Sequence, residues 1–398
     1  MKKILIALLI LMSVAATAQK PRPDAFAPLP DTLSPKAVVM ATTLEEMDSW
    51  DRYPTYDVYV AMMRRFADNY PELCYLDTIG TSVQGRLILS LAITGSALTD
   101  NYRPEFFYSS TMHGDEVTGF YFMLRLCDTL LRSYGTSQEI TSLLDRTRIC
   151  INPLSNPDGT YHGGNHTIAR AWRYNANYID LNRNYPDPFG SDPLDPLQQE
   201  NEAMIDYVSQ HNFRLSANLH GGSEVMNYPW DSFTSYQQLN EYSEWWKVVC
   251  KRYVDTCRLV DNQRFRDVTT RGYINGGDWY VIHNGRQDYF NYYHNMRELT
   301  MEISSSKTLS SDKLNSYWNC QSHALINYIK EIHNIEDTGT VGIHPHPSAA
   351  VLRVYPNPTS GSVTVEGSYG SYRYDLSDRP AGVYILNVEG HPVKVVKH

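Results

Sequence analysis

His113-Gly-Asp-Glu116 sets an imidazole and a carboxylate three residues apart, and His220 supplies a second imidazole, trailed by Gly221-Gly222. Two neutral imidazoles and one carboxylate form a three-ligand set for a catalytic zinc ion, with the fourth position left for water. The H-x-x-E spacing alone is weak, since about one match is expected by chance in a chain this rich in both residues. His333-Asn-Ile-Glu336 is indeed a second match, and position separates the two. His113 comes just after the apolar run Phe106–Ser109 and His220 just after Leu215–Leu219, whereas His333 closes a surface helix beside a linker. In α/β sheets ligands gather at the carboxyl ends of strands. The glycines after His220 let backbone or substrate come close. The H-E-x-x-H of a helical metalloprotease site is absent.

The elements that must hold these groups alternate between helical and strand periods, as in α/β folds. Tyr59, Met62, Met63 and Phe66 recur at helical spacing and stop before Pro71. Phe120, Met123, Leu124, Cys127 and Leu131 form a second helical stripe, and Met204, Tyr207, Val208 and His211 a third. Their Met and aromatic positions read as core. Short apolar runs at Cys74–Ile79, Ile88–Ile93, Phe106–Ser109, Arg148–Asn152, Leu215–Leu219 and Leu299–Ile303 read as buried strands. The expected fold class is α/β, one large domain with a mixed central sheet flanked by helices, followed by a small all-β tail.

The chain has 398 residues, 42% of them hydrophobic, which is ample for a sizeable core and excludes disorder as the main state. Lys and Arg number 35 against 44 Asp and Glu, a net charge of −9, so a nucleic-acid or anionic-membrane partner is disfavoured. The 30 tyrosines read as sheet faces and wet cleft walls. Lys2-Lys3, an apolar run from Ile4 to about Val14 and then Ala16-Thr17-Ala18 predict a signal peptide over 1–18, with the mature chain starting at Gln19. No later segment is apolar enough to span a bilayer. The six cysteines then face an oxidising route, in which they form disulfides of undetermined pairing or stay as small buried apolar groups. The composition breaks after Ile332. The predicted organisation is 19–45 as a lead, 46–335 as the catalytic domain, 336–350 as a linker and 351–398 as the β tail. His344 and His346, flanked by prolines in that linker, read as solvated rather than metal-bound.

Five motifs in this order resemble the zinc carboxypeptidases, most closely their N/E branch: His113-x-x-Glu116, Asn156-Pro-Asp-Gly159, Asp180-Leu-Asn-Arg-Asn-Tyr-Pro186, His220-Gly-Gly, and Gly285-Arg-Gln-Asp-Tyr289 leading to Thr300-Met-Glu302. The resemblance runs from about Tyr53 to Ile332. It implies one Zn2+ per chain on His113, Glu116 and His220, and a peptide C-terminus as substrate. It implies Glu302 as the general base and acid, a role that needs a carboxylate within reach of the attacking water. Arg173 matches the cation that polarises the scissile carbonyl, with a structural ion pair as the competing reading. Asn182 and Arg183 match the clamp on the terminal carboxylate, for which a guanidinium fork is well shaped. Tyr280 matches the tyrosine that closes over the same group, leaving Tyr289 as a wall residue. Asp231, in Asn227-Tyr-Pro-Trp-Asp231, matches the acid that receives a basic terminal side chain, and Gln287 takes the pocket floor. Preference for C-terminal Arg or Lys follows; the competing reading is that Asp231 merely caps the next turn.

The N/E pattern's transthyretin-like β-domain is missing. The tail instead resembles a short C-terminal sorting domain of type IX secretion, through Val354-Tyr-Pro-Asn-Pro-Thr-Ser-Gly361, Pro380-Ala-Gly-Val-Tyr384 and Lys394-Val-Val-Lys397. That implies secretion machinery as a partner and a monomer secreted or held at the cell surface, or a periplasmic one if the tail is not functional. No folded propeptide fits in the lead. Two other functions compete: a peptidoglycan stem-peptide amidase or carboxypeptidase on the same fold, and an inactive surface peptide-binding module. Asp187, Asp192 and Asp195 are a conceivable calcium group, but read better as a solvated acidic loop.

Overall fold

The computed structural model describes residues 38–95, 103–294, 296–335, 353–367, 370–388 and 391–398. The predicted signal peptide, the linker and its His344 and His346, most of the lead and Glu336 therefore lie outside the described residues. An eight-stranded mixed sheet organises the large unit. Its strands are β1 (Cys74–Thr81), β2 (Leu87–Ile93), β3 (Glu105–Ser110), β4 (Arg148–Asn152), β5 (Phe213–His220), β6 (Ser223–Tyr228), β7 (Tyr273–Asn275) and β8 (Arg297–Ser304). They lie in the order β1-β2-β4-β3-β5-β8-β6-β7. The central neighbours β4, β3, β5 and β8 run parallel, so their carboxyl ends open on one edge.

Period-two alternation divides the strands between two cores. Phe106, Tyr108, Ile149, Ile151, Leu215 and Ala217 face one side. There they meet α1 (Tyr56–Asn69), α2 (Thr118–Ser133), α3 (Gln138–Arg146), the later α5 (Ser243–Val260) and α7 (Leu314–Lys330). Phe107 and Cys150 face the other side, under α4 (Gln199–Ser209) and α6 (Arg286–Tyr293), and a register shift at the start of the β3–β5 pair brings Phe213 to that side too. Thr55 caps α1 by accepting from Val58 N, and Ser137 caps α3 in the same way.

All six apolar runs named above lie in strands, and the three stripes lie in α1, α2 and α4. His211 falls just past α4, stacking on Phe213 with ring centroids 4.6 Å apart. Strands β6 and β7 and helices α3, α5 and α6 are additional elements. The six cysteines are buried free thiols. In the tail, strands Arg353–Tyr355, Ser362–Gly367 and Gly370–Asp375 form one antiparallel sheet and Gly382–Val388 with His391–Lys397 another. Val363, Val365, Leu376 and Val395 are buried together there. Among the described residues, no helix is long and apolar enough to cross a membrane.

Candidate metal centre and substrate site

The loop from β3 to α2 carries His113 and Glu116 at the carboxyl edge of the sheet. Its path is fixed locally: Glu116 N donates to His113 O at 3.0 Å, and Thr111 Oγ1 donates to Glu116 O at 3.1 Å. The Asn156-Pro-Asp-Gly159 turn is packed against it. Asn156 Nδ2 donates to Met112 O at 3.0 Å and Thr160 Oγ1 to Gly114 O at 2.8 Å. Gly114 and Gly159 touch so closely that a Cβ on Gly114 would stand 2.5 Å from the Gly159 Cα. The turn motif is thus the bed of the His-x-x-Glu loop, which explains its glycine.

His220 ends β5. Parallel pairing sets Glu302 of β8 opposite His220, so the two side chains leave the sheet on the same face. His113, Glu116, His220 and Glu302 are all buried, none more than 2% exposed. His113 Nδ1 lies 3.0 Å from Glu116 Oε1, His220 Nδ1 lies 2.8 Å from Glu116 Oε2, and the two Nδ1 atoms are 3.1 Å apart. Among the described residues this is the one group of three or more metal-ligating side chains. Donors on a tetrahedral zinc at about 2.0–2.1 Å stand roughly 3.3 Å from one another, so this cluster fits the ion with small adjustments. Burial pushes the Glu116 carboxyl up, but the two imidazoles overcome it and hold the group well below the usual carboxylate range.

Asp180 links this cluster to the substrate side. Its Oδ1 is 3.1 Å from His113 Nε2, its Oδ2 accepts from Arg173 Nε at 2.9 Å, and Asn182 N donates to Oδ1 at 2.9 Å. Burial again opposes the charge, yet Arg173 and His113 keep Asp180 well below the usual range. Arg173 also reaches His113 Nδ1 at 3.2 Å and Glu116 Oε1 at 3.6 Å. The guanidinium therefore stands over the cluster as well as in an ion pair, and the two sequence readings of Arg173 are compatible.

Asn182 is tied to the start of α6, with Arg286 N donating to its Oδ1 at 2.9 Å. Its neighbour Arg183 points NH1 to Asn182 O at 2.6 Å. Tyr280 follows the short turn Gly276–Trp279, partly exposed, with its ring against Trp279. Asp231 is buried, and Gln287 Nε2 donates to its Oδ1 at 2.9 Å while Thr300 N donates to Gln287 Oε1 at 2.7 Å. A backbone N–H can donate only to oxygen, so Thr300 sets which way the Gln287 amide points. The turn after Asp231 is capped by Asp288, which accepts from Asp231 N and Ser232 N, both at 2.8 Å. Burial, only partly offset by these donors, raises Asp288 to about 6.

Of the other groups near the site, Lys307 carried no sequence signal, and Arg286 stands in the quoted Gly285–Tyr289 motif without a role of its own. Lys307 lies 2.9 Å from Asp115 and 3.9 Å from Glu116; Arg286 holds Glu298 through two nitrogens under the α6 start. Asp180 stands in a quoted motif, and its spacing two residues before Asn182 was the available clue. Of the acidic loop, Asp187 is engaged by His283 at 2.8 Å and Phe189 N at 2.9 Å, and it forms no metal-binding group with Asp192 and Asp195. His333, from the second H-x-x-E match, pairs with Thr147 Oγ1 at 2.8 Å.

Residues 59–324 match the family described as zinc carboxypeptidase. Carboxypeptidase M of Mus musculus is 34% identical over 307 residues, covering 71% of this chain and 66% of that protein. The carboxypeptidase N catalytic chain of Rattus norvegicus is 31% identical over 317 residues, covering 71% and 69%. Carboxypeptidase D of Rattus norvegicus is 33% identical over 295 residues, and there the match spans only 21% of the relative's length. Among solved structures, a carboxypeptidase A from Helicoverpa armigera superposes with TM-score 0.61 at 18% identity over 72% of this chain and 75% of that one. Thrombin activatable fibrinolysis inhibitor superposes with TM-score 0.62 at 18% identity over 77% and 79%. These two share the fold. The family match, the ordered relatives and the α/β architecture agree: the chain belongs to the zinc carboxypeptidase family.

Proposed function

We propose that this protein is a zinc metallocarboxypeptidase that removes basic residues from peptide C-termini. The observation that carries the reading is the convergence of His113 Nδ1, Glu116 and His220 Nδ1 within about 3 Å, with Glu302 paired beside His220 and Arg173 over the group. His113, Glu116 and His220 would hold one zinc ion, which supplies a Lewis acid able to activate water near neutral pH and polarise a carbonyl. Glu302 takes the proton of the attacking water and returns it to the leaving amine. Arg173 faces the oxygen on which negative charge develops. Asn182 and Arg183 bind the terminal carboxylate, and Tyr280 folds over it, which limits cleavage to the last peptide bond.

Asp231 receives the basic side chain, with Gln287 fixing the carboxylate from below. An apolar side chain would leave that buried carboxylate uncompensated, so discrimination on the order of 10²-fold against Phe is expected. A blocked dipeptide ending in Arg, compared with one ending in Phe, tests this. Equal rates would remove Asp231 from the specificity pocket.

The same proposal has the catalytic unit at 46–335, a removed segment 1–18 and a tail 351–398 that addresses the chain to the surface or medium. Lys2-Lys3, the apolar run after them and the tail motifs support it. Mature protein should begin at Gln19, and tail-deleted protein should stay in the periplasm; an unprocessed N-terminus would contradict the export reading.

A further inference from the structure

The two imidazoles of the cluster meet different partners on their second nitrogens. His113 Nε2 faces the Asp180 carboxylate at 3.1 Å, an acceptor for its proton, while Nδ1 meets Arg173 at 3.2 Å and Glu116 Oε1 at 3.0 Å. His113 thus has an acceptor for an Nε2 proton. His220 does not. Its Nδ1 stands 2.8 Å from Glu116 Oε2, a carboxylate oxygen that accepts, and its Nε2 stands 2.7 Å from Asn218 Nδ2, which donates. That arrangement puts the His220 proton on Nδ1, the nitrogen aimed at Glu116 and His113.

Asn218 is 1% exposed and lies two residues before His220 on β5, hence on the same face of the sheet. Its amide has one other polar side-chain neighbour that matters here, Ser109 Oγ, which donates to Oδ1 at 3.3 Å. Met112 Sδ, 2.9 Å from Nδ2, is a weak acceptor that only this orientation satisfies. A half-turn of the amide exchanges O and N without changing its shape. After the turn Oδ1 accepts from His220 Nε2–H and Nδ2 donates to Ser109, whose hydroxyl accepts as readily as it donates. Only the weak donation to Met112 Sδ is given up.

Resting on the zinc-site reading above, we propose that Asn218 is the positioning residue of His220: by turning its amide, it holds the ring with the proton on Nε2 and the Nδ1 lone pair toward the metal. Ligand imidazoles elsewhere are fixed in this way by an acceptor on their second nitrogen, and loss of such partners costs about 10–100-fold in metal affinity. Asn218→Ala removes the acceptor, whereas Asn218→Asp retains one in nearly the same shape.

The test is zinc affinity by competition with a chromogenic chelator for wild type, Asn218→Ala and Asn218→Asp, with the melting temperature of each metal-free protein measured alongside. The expected result is a loss of about 10–100-fold for the alanine variant, with the aspartate variant within about threefold of wild type or tighter. Alanine binding as tightly as wild type, or aspartate losing as much as alanine, overturns the proposal. A readout that needs no variant is the nitrogen spectrum of the wild-type His220 ring, whose proton should sit on Nε2 in the zinc-loaded protein. An Nδ1 proton in zinc-loaded protein contradicts it. Wild type that binds no zinc at all would defeat the metal-site reading and the role of Asn218 with it.

Discussion

Gly276 opens the short turn Gly276–Trp279 directly beneath Asp231, and replacing it with alanine should damage specificity more than stability. Its φ lies outside the left-handed region, so the backbone accepts alanine; the conflict is with side chains. A Cβ there would sit 1.8 Å from Asp231 Oδ1 and 2.6 Å from Asn227 Oδ1. Asp231 cannot withdraw as a unit, because its N–H is held by Asp288 at 2.8 Å and its carbonyl by Ile282 N at 3.1 Å. The carboxylate must rotate instead, breaking the 2.9 Å bond from Gln287 and leaving the position from which it would meet a cationic side chain. A hydrogen bond to a charged group contributes about 1.5–3 kcal/mol, which converts to about a 10- to 150-fold loss in kcat/KM on an Arg-terminal substrate. Overpacking adds a stability cost of about 1–3 kcal/mol. Initial rates on paired blocked dipeptides give the Arg-to-Phe ratio, which should fall by that factor while the Phe rate stays nearly constant. Asp231→Asn should produce a similar fall, and the double variant should be far from additive, since both changes act on one carboxylate. A folded Gly276→Ala variant with an unchanged Arg-to-Phe ratio refutes the reasoning.

Glu302→Gln should lower kcat by about 10²–10⁴-fold with zinc content and melting temperature unchanged, because it removes a proton acceptor and little volume. Arg173→Ala should cost about 10²–10³-fold in kcat, the range for losing one oxyanion donor, and separate kcat and KM values check that the loss lies in turnover. Glu105, far from the cleft, predicts an acid-sensitive contribution to stability. Burial raises its carboxyl, but His211, Asn212 N and Arg148 lower it more, to about 2. A depressed folded pKa means the stabilisation is complete above the ordinary value near 4.5 and is lost as pH falls toward 2. Glu105→Gln should therefore be less stable than wild type by up to about 3 kcal/mol at pH 7, and the gap should have shrunk by more than half at pH 3 in urea titrations.

The parts of the fold that are legible in the sequence are those where burial leaves either a continuous apolar run or a regular period. Phe106 to Ser109 and Arg148 to Asn152 are apolar on both faces because helices cover both, and the stripe on α2 is long enough to declare its period. Strand β7 is three residues long and β6 is bounded by glycines and the Tyr-Pro-Trp turn, so neither shows a period. Long-range pairing is the other limit. Nothing local in Glu302 indicates that it registers with His220, and no spacing rule connects Asp288 to the backbone of Asp231 across 57 residues. Asp180 is visible as the first residue of a motif, and Asn218 only as a member of the run Leu215–Leu219. Their function as partners of the imidazoles depends on which nitrogen faces which oxygen, and that exists only in the folded chain.

The central claim is a zinc-dependent exopeptidase with an anionic pocket for a basic terminal side chain. Its most direct test is to identify the amino acid released from a mixed set of peptides differing only in the terminal residue, with the enzyme as purified, after chelation and after zinc return. The account predicts release of single Arg and Lys residues, none after chelation, and recovery on adding zinc. Internal fragments, release indifferent to the terminal side chain, or full activity in the chelated protein would contradict it.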